Sequence, residues 1–315
     1  MRIGLSLSEP SPGGDVLGAL TTSIRQAADD GFASGWLANI FGLDALTALA
    51  VAGSRVPGIE LGTAVVPTYP RHPAALAQQA LTVQAALDGR LALGIGLSHQ
   101  LVIEGMYGLS FDKPARHMRE YLEILLPLLA TGKVSFEGTS LTARMGLARA
   151  SDQRVPVYLA AMAPRMLHLA GAVAEGTVLW MTGPKTVESH VLPRLLEAAE
   201  GAGRPSPRVV CVLPVAVTDD PAGARTFADR AFSIYNDLPS YRAMLDIEGA
   251  GGPGDVAVVG DEDSVGEQIE ALATMGVTDF VAGAFATGDD AERTRALLSS
   301  LARAADAGLA SSGRG

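Results

Sequence analysis

Cysteine is almost absent from the 315-residue chain, with Cys211 standing alone. That excludes an internal disulfide framework and fits a reducing compartment. Cys211 sits in an apolar run and reads as a small buried hydrophobe. Lysine is nearly as scarce, occurring at Lys113, Lys133 and Lys185, and the net charge is −10. A nucleic-acid surface needs clustered Lys and Arg, so that class of partner drops out. Aromatics make up 5% of the residues against 48% for hydrophobic residues as a whole, so a large core must be built mainly from small side chains. Met1 leads straight into the strand-like IGLSL, with no basic segment followed by a long apolar stretch. A cytoplasmic protein with no signal peptide and no membrane contact is expected.

Several mechanistic motifs are missing as well. A dinucleotide-binding GxGxxG would need glycine at position 99 after Gly94 and Gly96, and His99 stands there. Gly132-Lys133 is followed by Val134, which breaks a phosphate-binding Walker loop. No GxSxG nucleophile elbow occurs. The histidines, His72, His99, His117, His168 and His190, form neither HxH nor HExxH, so no metal site is expected.

What is present is alternation. Short β-rich runs precede longer helical segments throughout. The strands are expected at Arg2–Ser8, Gly35–Asn39, Ile59–Val66, Leu91–Leu97, Val155–Ala160, Thr177–Met181, Arg208–Val217 and Asp279–Ala284. Helix starts are marked by Asp15, Asp44, Pro73, Pro114, Pro164, Pro184 and Pro221, and stops by Gly31 and Asp88-Gly89. Ser98–Asp112 reads as a long connection. Thr131–Arg154 reads as an insertion after the fourth β/α unit, with a hairpin around Lys133–Phe136. Gly249–Gly254 reads as a flexible glycine run. A helix is expected at Ser264–Met275 and another from Asp289 to about Ala305, with a fraying tail beyond. Eight such units predict a single (β/α)₈ TIM barrel domain over residues 1–315. The competing doubly wound sheet would want a glycine fingerprint in the Ser8–Gly14 turn, which has none.

A barrel carries its chemistry at the C-terminal ends of its strands. That rule selects Ser8, Asn39, Ala64, Val65, Ser98, His99, Ala161, Met162, Met181 and Thr182. His99 is the histidine just past a strand end, and a side chain that titrates near neutrality can move protons. His117, His168 and His190 fall on expected helices and read as structural, and His72 reads as a helix-entrance residue. Helices open after strands five and six at Pro164 and Pro184, each followed by a cation, Arg165 and Lys185. Helix N-termini favour anions, so a phosphate is expected near Met162, Ala163, Thr182 and Gly183. Met106, Tyr107, Leu109 and Phe111 either line a pocket for a hydrophobic molecule or simply pack their connection.

The stretch LGTAVVPTYPRHPAALAQQALTVQAALDGRLALGIGLSH, residues 61–99, resembles the luciferase-like monooxygenase superfamily, with its RHP segment, Gln-rich helix and LGxG strand. VYLAAMAPRMLHLAGAVAEGTVLWMTGP, residues 157–184, is similar to the fifth and sixth strands of that family, and Asp279–Phe285 to its ending. The GLSH segment resembles the branch that uses the deazaflavin coenzyme F420. The resemblance implies a (β/α)₈ barrel, a homodimer, and a flavin or deazaflavin at the strand ends that exchanges a hydride with a small organic substrate. It also implies a non-prolyl cis peptide in a bulge between Ala64 and Val65. The expected site is therefore His99 as proton carrier, with Asn39, Ala64, Val65, Ser98, Ala161, Met162, Ala163, Arg165, Thr182, Gly183 and Lys185 around the cofactor. One departure matters: several deazaflavin relatives carry Asp-His at the end of strand two, where this chain has Asn39-Ile40. An acid of one related dehydrogenase aligns with His99. An FMN-dependent monooxygenase and a cofactor-binding protein without turnover are the alternatives.

Overall fold

The computed structural model describes residues 1–9, 13–148 and 152–312, and side chains as far as 308. Part of the Ser8–Gly14 turn and the end of the Thr131–Arg154 stretch lie outside those residues. Eight parallel strands run in chain order: β1 (Arg2–Leu7), β2 (Ser34–Leu37), β3 (Glu60–Thr63), β4 (Leu91–Gly96), β5 (Val157–Leu159), β6 (Gly176–Trp180), β7 (Arg208–Val217) and β8 (Asp279–Ala284). Each pairs with the next, and β8 pairs with β1, so the sheet closes on itself. This is the expected (β/α)₈ barrel.

Strand alternation sorts the side chains into two cores. Ile3, Leu5, Leu7, Leu37, Leu61, Leu93, Leu159, Leu179 and Cys211 point outward, into the layer shared with the helices. Burial and the nearby charge of Glu248 push the Cys211 thiol up to about 12, which leaves it an inert packing group. Trp36, Ala92, Tyr158, Val178, Val210, Val212 and Val281 fill the inside. The Trp36 ring fits because its register partner on the adjacent strand β3 is Gly62, where a Cβ would lie 2.3 Å from the indole.

The lower end is closed by charge. Arg208 bonds the Glu60 carboxylate at 3.0 Å, Asp279 at 3.1 Å and the Tyr158 hydroxyl at 2.7 Å, and Arg2 reaches Glu60 at 3.2 Å. Burial works against the guanidinium charge, but the two carboxylates outweigh it and raise the Arg208 pKa.

The helix signals perform as chemistry says they should. Asp15 and Asp44 accept from Gly18 and Thr47 N–H, and proline opens the helices Pro73–Ala86, Pro114–Thr131, Pro164–Val173 and Pro221–Ala231. His72 caps its helix, with Nδ1 accepting from Ala74 N–H. The hairpin after the Pro114–Thr131 helix pairs Lys133–Glu137 with Thr142–Gly146, and buried Glu120 receives the N–H groups of its turn, Thr139, Ser140 and Leu141.

Four expectations need correction. The Ser98–Asp112 connection contains a short helix, Gln100–Gly105. Gly249–Gly254 is pinned rather than flexible: Arg242 donates to the Ala250 and Gly251 carbonyls, and Asp229 receives Gly254 N–H at 2.7 Å. An unforeseen strand, Val258–Gly260, pairs with the extended end of β7. The last helix is assigned from Asp289 to Ser312, past its expected end near Ala305. Among the described residues, no helix is long and apolar enough to cross a membrane.

Candidate active site

The mouth of the barrel is shaped first by a bulge. Gly62 pairs with Ala92, yet the next pairing is Val66 with Ile95, so this strand carries one residue more than β4 over the same interval. Buried Thr63 repairs the gap: its hydroxyl donates to the Gly94 carbonyl at 2.7 Å and accepts Gly94 N–H at 2.9 Å. Gly94 must be glycine, because a Cβ there would stand 1.9 Å from the Thr63 carbonyl oxygen. The bulge carries Ala64 and Val65, joined by a non-prolyl cis peptide at the position the sequence resemblance implied. Ala64, Val65 and Trp180 sit half-buried on the interior core and form an apolar platform facing the mouth.

Two non-glycine residues at the strand ends adopt left-handed backbone: Ser98 after β4 (φ 59°) and Met181 after β6 (φ 52°). Such conformations are held against their own cost by surrounding structure and tend to mark functional turns. The first aims His99 and the second aims Thr182. His99 opens the Gln100–Gly105 helix through its carbonyl, which accepts from Val102 and Ile103 N–H, while its ring caps nothing. That ring is half-buried against Tyr241, 5.7 Å between centroids. Burial, which disfavours the charged imidazolium, lowers its pKa below the ordinary histidine value.

Tyr241 belongs to the helix Pro239–Glu248, which folds back from the end of β7 over the mouth. An aromatic chain joins it to the platform. Tyr241 meets Tyr235 at 4.7 Å, Tyr235 meets Trp180 at 5.9 Å, and Trp180 meets Phe232 at 5.7 Å. None of these was singled out in the sequence. The available signal was concentration: Phe227, Phe232, Tyr235 and Tyr241 fall within a short segment of an aromatic-poor chain.

The two expected anion sites differ. The helix Pro164–Val173 starts with no side-chain cap, Arg165 is exposed beside it, and Met162 is held there by buried His190, whose Nε2 lies 2.7 Å from the Met162 carbonyl oxygen. The helical stretch that begins at Pro184 is closed by the Glu248 carboxylate, which receives Lys185 N–H at 3.2 Å and Thr186 N–H at 2.8 Å. A Cβ at Gly183 would lie 2.4 Å from that carboxyl carbon. Thr182 and Gly183 are buried, and the Thr182 hydroxyl lies 3.2 Å from the Trp180 carbonyl. The two helix starts therefore present themselves differently to an anion: Gly183 and Lys185 border a terminus whose Lys185 and Thr186 N–H groups already meet the chain's own carboxylate.

The remaining expected residues divide similarly. Ala161 is buried and Ala163 exposed at the end of β5. The Asn39 side-chain oxygen accepts Ala45 N–H at 3.0 Å, so that atom helps start the Ala45–Gly53 helix. Ile40 is 60% exposed, and an isoleucine there supplies no proton. Met106, Tyr107 and Leu109 are exposed, whereas Phe111 packs on Tyr69, which in turn stacks on His117. A hollow of about 500 Å³ bordered by Pro164, His168, Arg194 and Glu197 lies away from the platform and contains none of its residues. No group of three His, Cys, Asp or Glu among the described residues is placed to hold a metal.

A family model described as luciferase-like monooxygenase matches residues 1–279. The chain belongs to the luciferase-like monooxygenase family. Its curated relatives include a 5,10-methylenetetrahydromethanopterin reductase of Methanolobus tindarius, 29% identical over 82% of this chain and 88% of the relative. Among solved structures, a coenzyme F420 dependent tetrahydromethanopterin reductase of Methanopyrus kandleri superposes with a TM-score of 0.77 at 24% identity, over 95% of this chain and 97% of that one. The oxygenating constituent of 3,6-diketocamphane monooxygenase of Pseudomonas putida, in complex with FMN, gives 0.75 at 19% identity, over 95% and 96%. At those identities the structural likeness of this luciferase-like chain to either neighbour is a likeness of fold. F420 enzymes and FMN enzymes share that fold.

Proposed function

We propose that this luciferase-like protein is an F420-dependent oxidoreductase that moves a hydride between the deazaflavin and a small organic substrate. The observation that carries the reading is the apolar platform of Ala64, Val65 and Trp180 with the half-buried His99 ring at the end of β4. A partly exposed apolar floor fits one face of a tricyclic ring, and the uncapped helix start at Pro164 with Arg165 fits a phosphate. Bound there, a deazaflavin supplies or accepts the hydride.

The chain's own groups do the rest. Ala64 and Val65 support the ring face, and Trp180 borders it. Arg165 and the N–H groups around Ala163 hold the phosphate. His99 takes the proton from a substrate hydroxyl when the substrate is oxidised and returns it when a carbonyl is reduced. Tyr241 covers one side of the imidazole and keeps water from it. The homodimer implied by the family resemblance is part of the same reading and is checked by sedimentation.

Titration of the cofactor-free protein with F420 and with FMN, at one salt concentration, tests the assignment. Micromolar F420 binding with FMN at least about tenfold weaker is expected, a gap of about 1.4 kcal/mol. Tighter FMN binding, with oxygen consumed on its reduction, would replace this reading by the FMN monooxygenase one. Tight binding of either without turnover of any alcohol or carbonyl would leave a binding protein.

A further inference from the structure

The carboxylate of Glu248 occupies an odd position. It is the last residue of its own helix, Pro239–Glu248, where the helix dipole disfavours negative charge. What compensates it is a second helix start, across the mouth, whose Lys185 and Thr186 N–H groups point at its two oxygens. The fully buried Thr186 hydroxyl lies 2.8 Å from the same carboxylate and 3.0 Å from the Met244 carbonyl of the Pro239–Glu248 helix. Gly183 is the residue that lets the carboxyl group come this close.

Helical spacing links this contact to the site. Tyr241, Met244, Leu245 and Glu248 stand at i, i+3, i+4 and i+7, one face of one helix. Met244 and Leu245 are buried on that face, Glu248 grips the loop after β6 at its far end, and Tyr241 meets His99 at its near end.

We infer that Glu248 is a positioning residue: it fastens the helix Pro239–Glu248 to the loop after β6 and so holds Tyr241 against His99. Its effect on turnover rests on the role of His99 proposed above, but the contact itself does not. The ring set against the imidazole is Tyr241, from the opposing helix, while Glu104, five residues along the segment that His99 opens, is bonded to Gln100 and to Phe111 N–H. Burial alone accounts for the lowered imidazole pKa, so loosening Tyr241 should raise it.

The experiment follows the His99 ring by NMR through a pH titration of the cofactor-free protein, with His99→Ala assigning the signal. Glu248→Ala should move the midpoint upward, toward that of an exposed histidine, and Tyr241→Leu should do the same. The double variant should move it no further than either alone, because both changes remove one contact. Glu248→Gln keeps the side-chain shape and one acceptor oxygen, and should give a smaller shift of the same sign. It carries the test if Glu248→Ala fails to fold. In the loaded enzyme, turnover at neutral pH should fall about tenfold, part of the roughly 10²-fold that misplacing a reacting group can cost. An unmoved His99 midpoint in the Glu248 variants overturns the proposal, as does full additivity in the double variant. Either result leaves the F420 titration unaffected, so the two readings fail separately.

Discussion

The two ends of this barrel are made by the same eight strands and treat their polar groups in opposite ways. At the lower end Arg208, Glu60, Asp279, Arg2 and Tyr158 satisfy one another. At the mouth, the ring of His99 caps nothing, the Pro164 helix start has no side-chain cap, and Ser98 and Met181 are held in left-handed backbone. Polar groups that pair with each other build stability. Polar groups left open around an apolar platform are placed for a ligand. If that division is right, substitutions at one end should be nearly silent at the other.

The largest effect belongs to the lower end. Arg208→Met should cost about 3 kcal/mol of stability, because Asp279, only 1% exposed, loses its main partner. Urea unfolding measures the loss, and cofactor affinity of the molecules that remain folded should not change. A loss below about 1 kcal/mol would show that the ionic cluster merely fills the barrel floor.

At the mouth, His99→Ala should lower turnover by about 10² or more, the usual scale for losing a general acid or base, with cofactor affinity and urea midpoint nearly unchanged. The pH profile carries a second mark. Burial holds the folded pKa below the ordinary 6.5, so the neutral ring persists as pH falls through that value. Oxidative turnover that needs the neutral form should stay level through pH 6.5 and drop only below it. An acid limb above 6.5 would assign the limb to some other group.

Thr63 joins the two ends of the comparison, since it is a buried structural group that shapes the mouth. Thr63→Val preserves volume but leaves Gly94 N–H and carbonyl without the hydroxyl between them. About 1–3 kcal/mol of stability should be lost, and cofactor affinity should fall as well, because the platform stands on this bulge. Thr63→Ser should restore both. Loss of stability with unchanged affinity would separate the bulge from the platform.

How much of this was legible depended on the range of the interaction. β7 and β8 were read to the residue, because apolar β-branched runs between glycine, proline and aspartate punctuation are local signals. Asp15, Asp44 and the prolines fixed helix starts for the same reason. The bulge at Ala64–Val65 was available through family resemblance, yet its physical support, Thr63 bonded to Gly94, spans two strands and leaves no local mark. His99 was found by its place after a strand. Its partner Tyr241 was not, because the two meet only once a helix after β7 has folded over the mouth. Gly249–Gly254 misled for a related reason: glycine content signals freedom, while Arg242 and Asp229 remove it.

The smallest effect bears on the one place where sequence symmetry breaks down in three dimensions. Pro164-Arg165 and Pro184-Lys185 look equivalent, each a proline-led helix start beside a cation. In the folded chain Glu248 fills the second and no side chain caps the first. A phosphate approaching Lys185 therefore meets a carboxylate that already holds the N–H groups, whereas one approaching Arg165 meets a helix start that no side chain caps. Arg165 is exposed, so its contribution is that of a solvent-screened ion pair, up to about 1 kcal/mol. Arg165→Ala should weaken F420 binding about fivefold at low salt, and the difference from wild type should shrink as salt is raised. Lys185→Ala should stay within about twofold under the same conditions. Equal losses for the two variants would mean that the cofactor's phosphate displaces Glu248 and takes the second helix start after all.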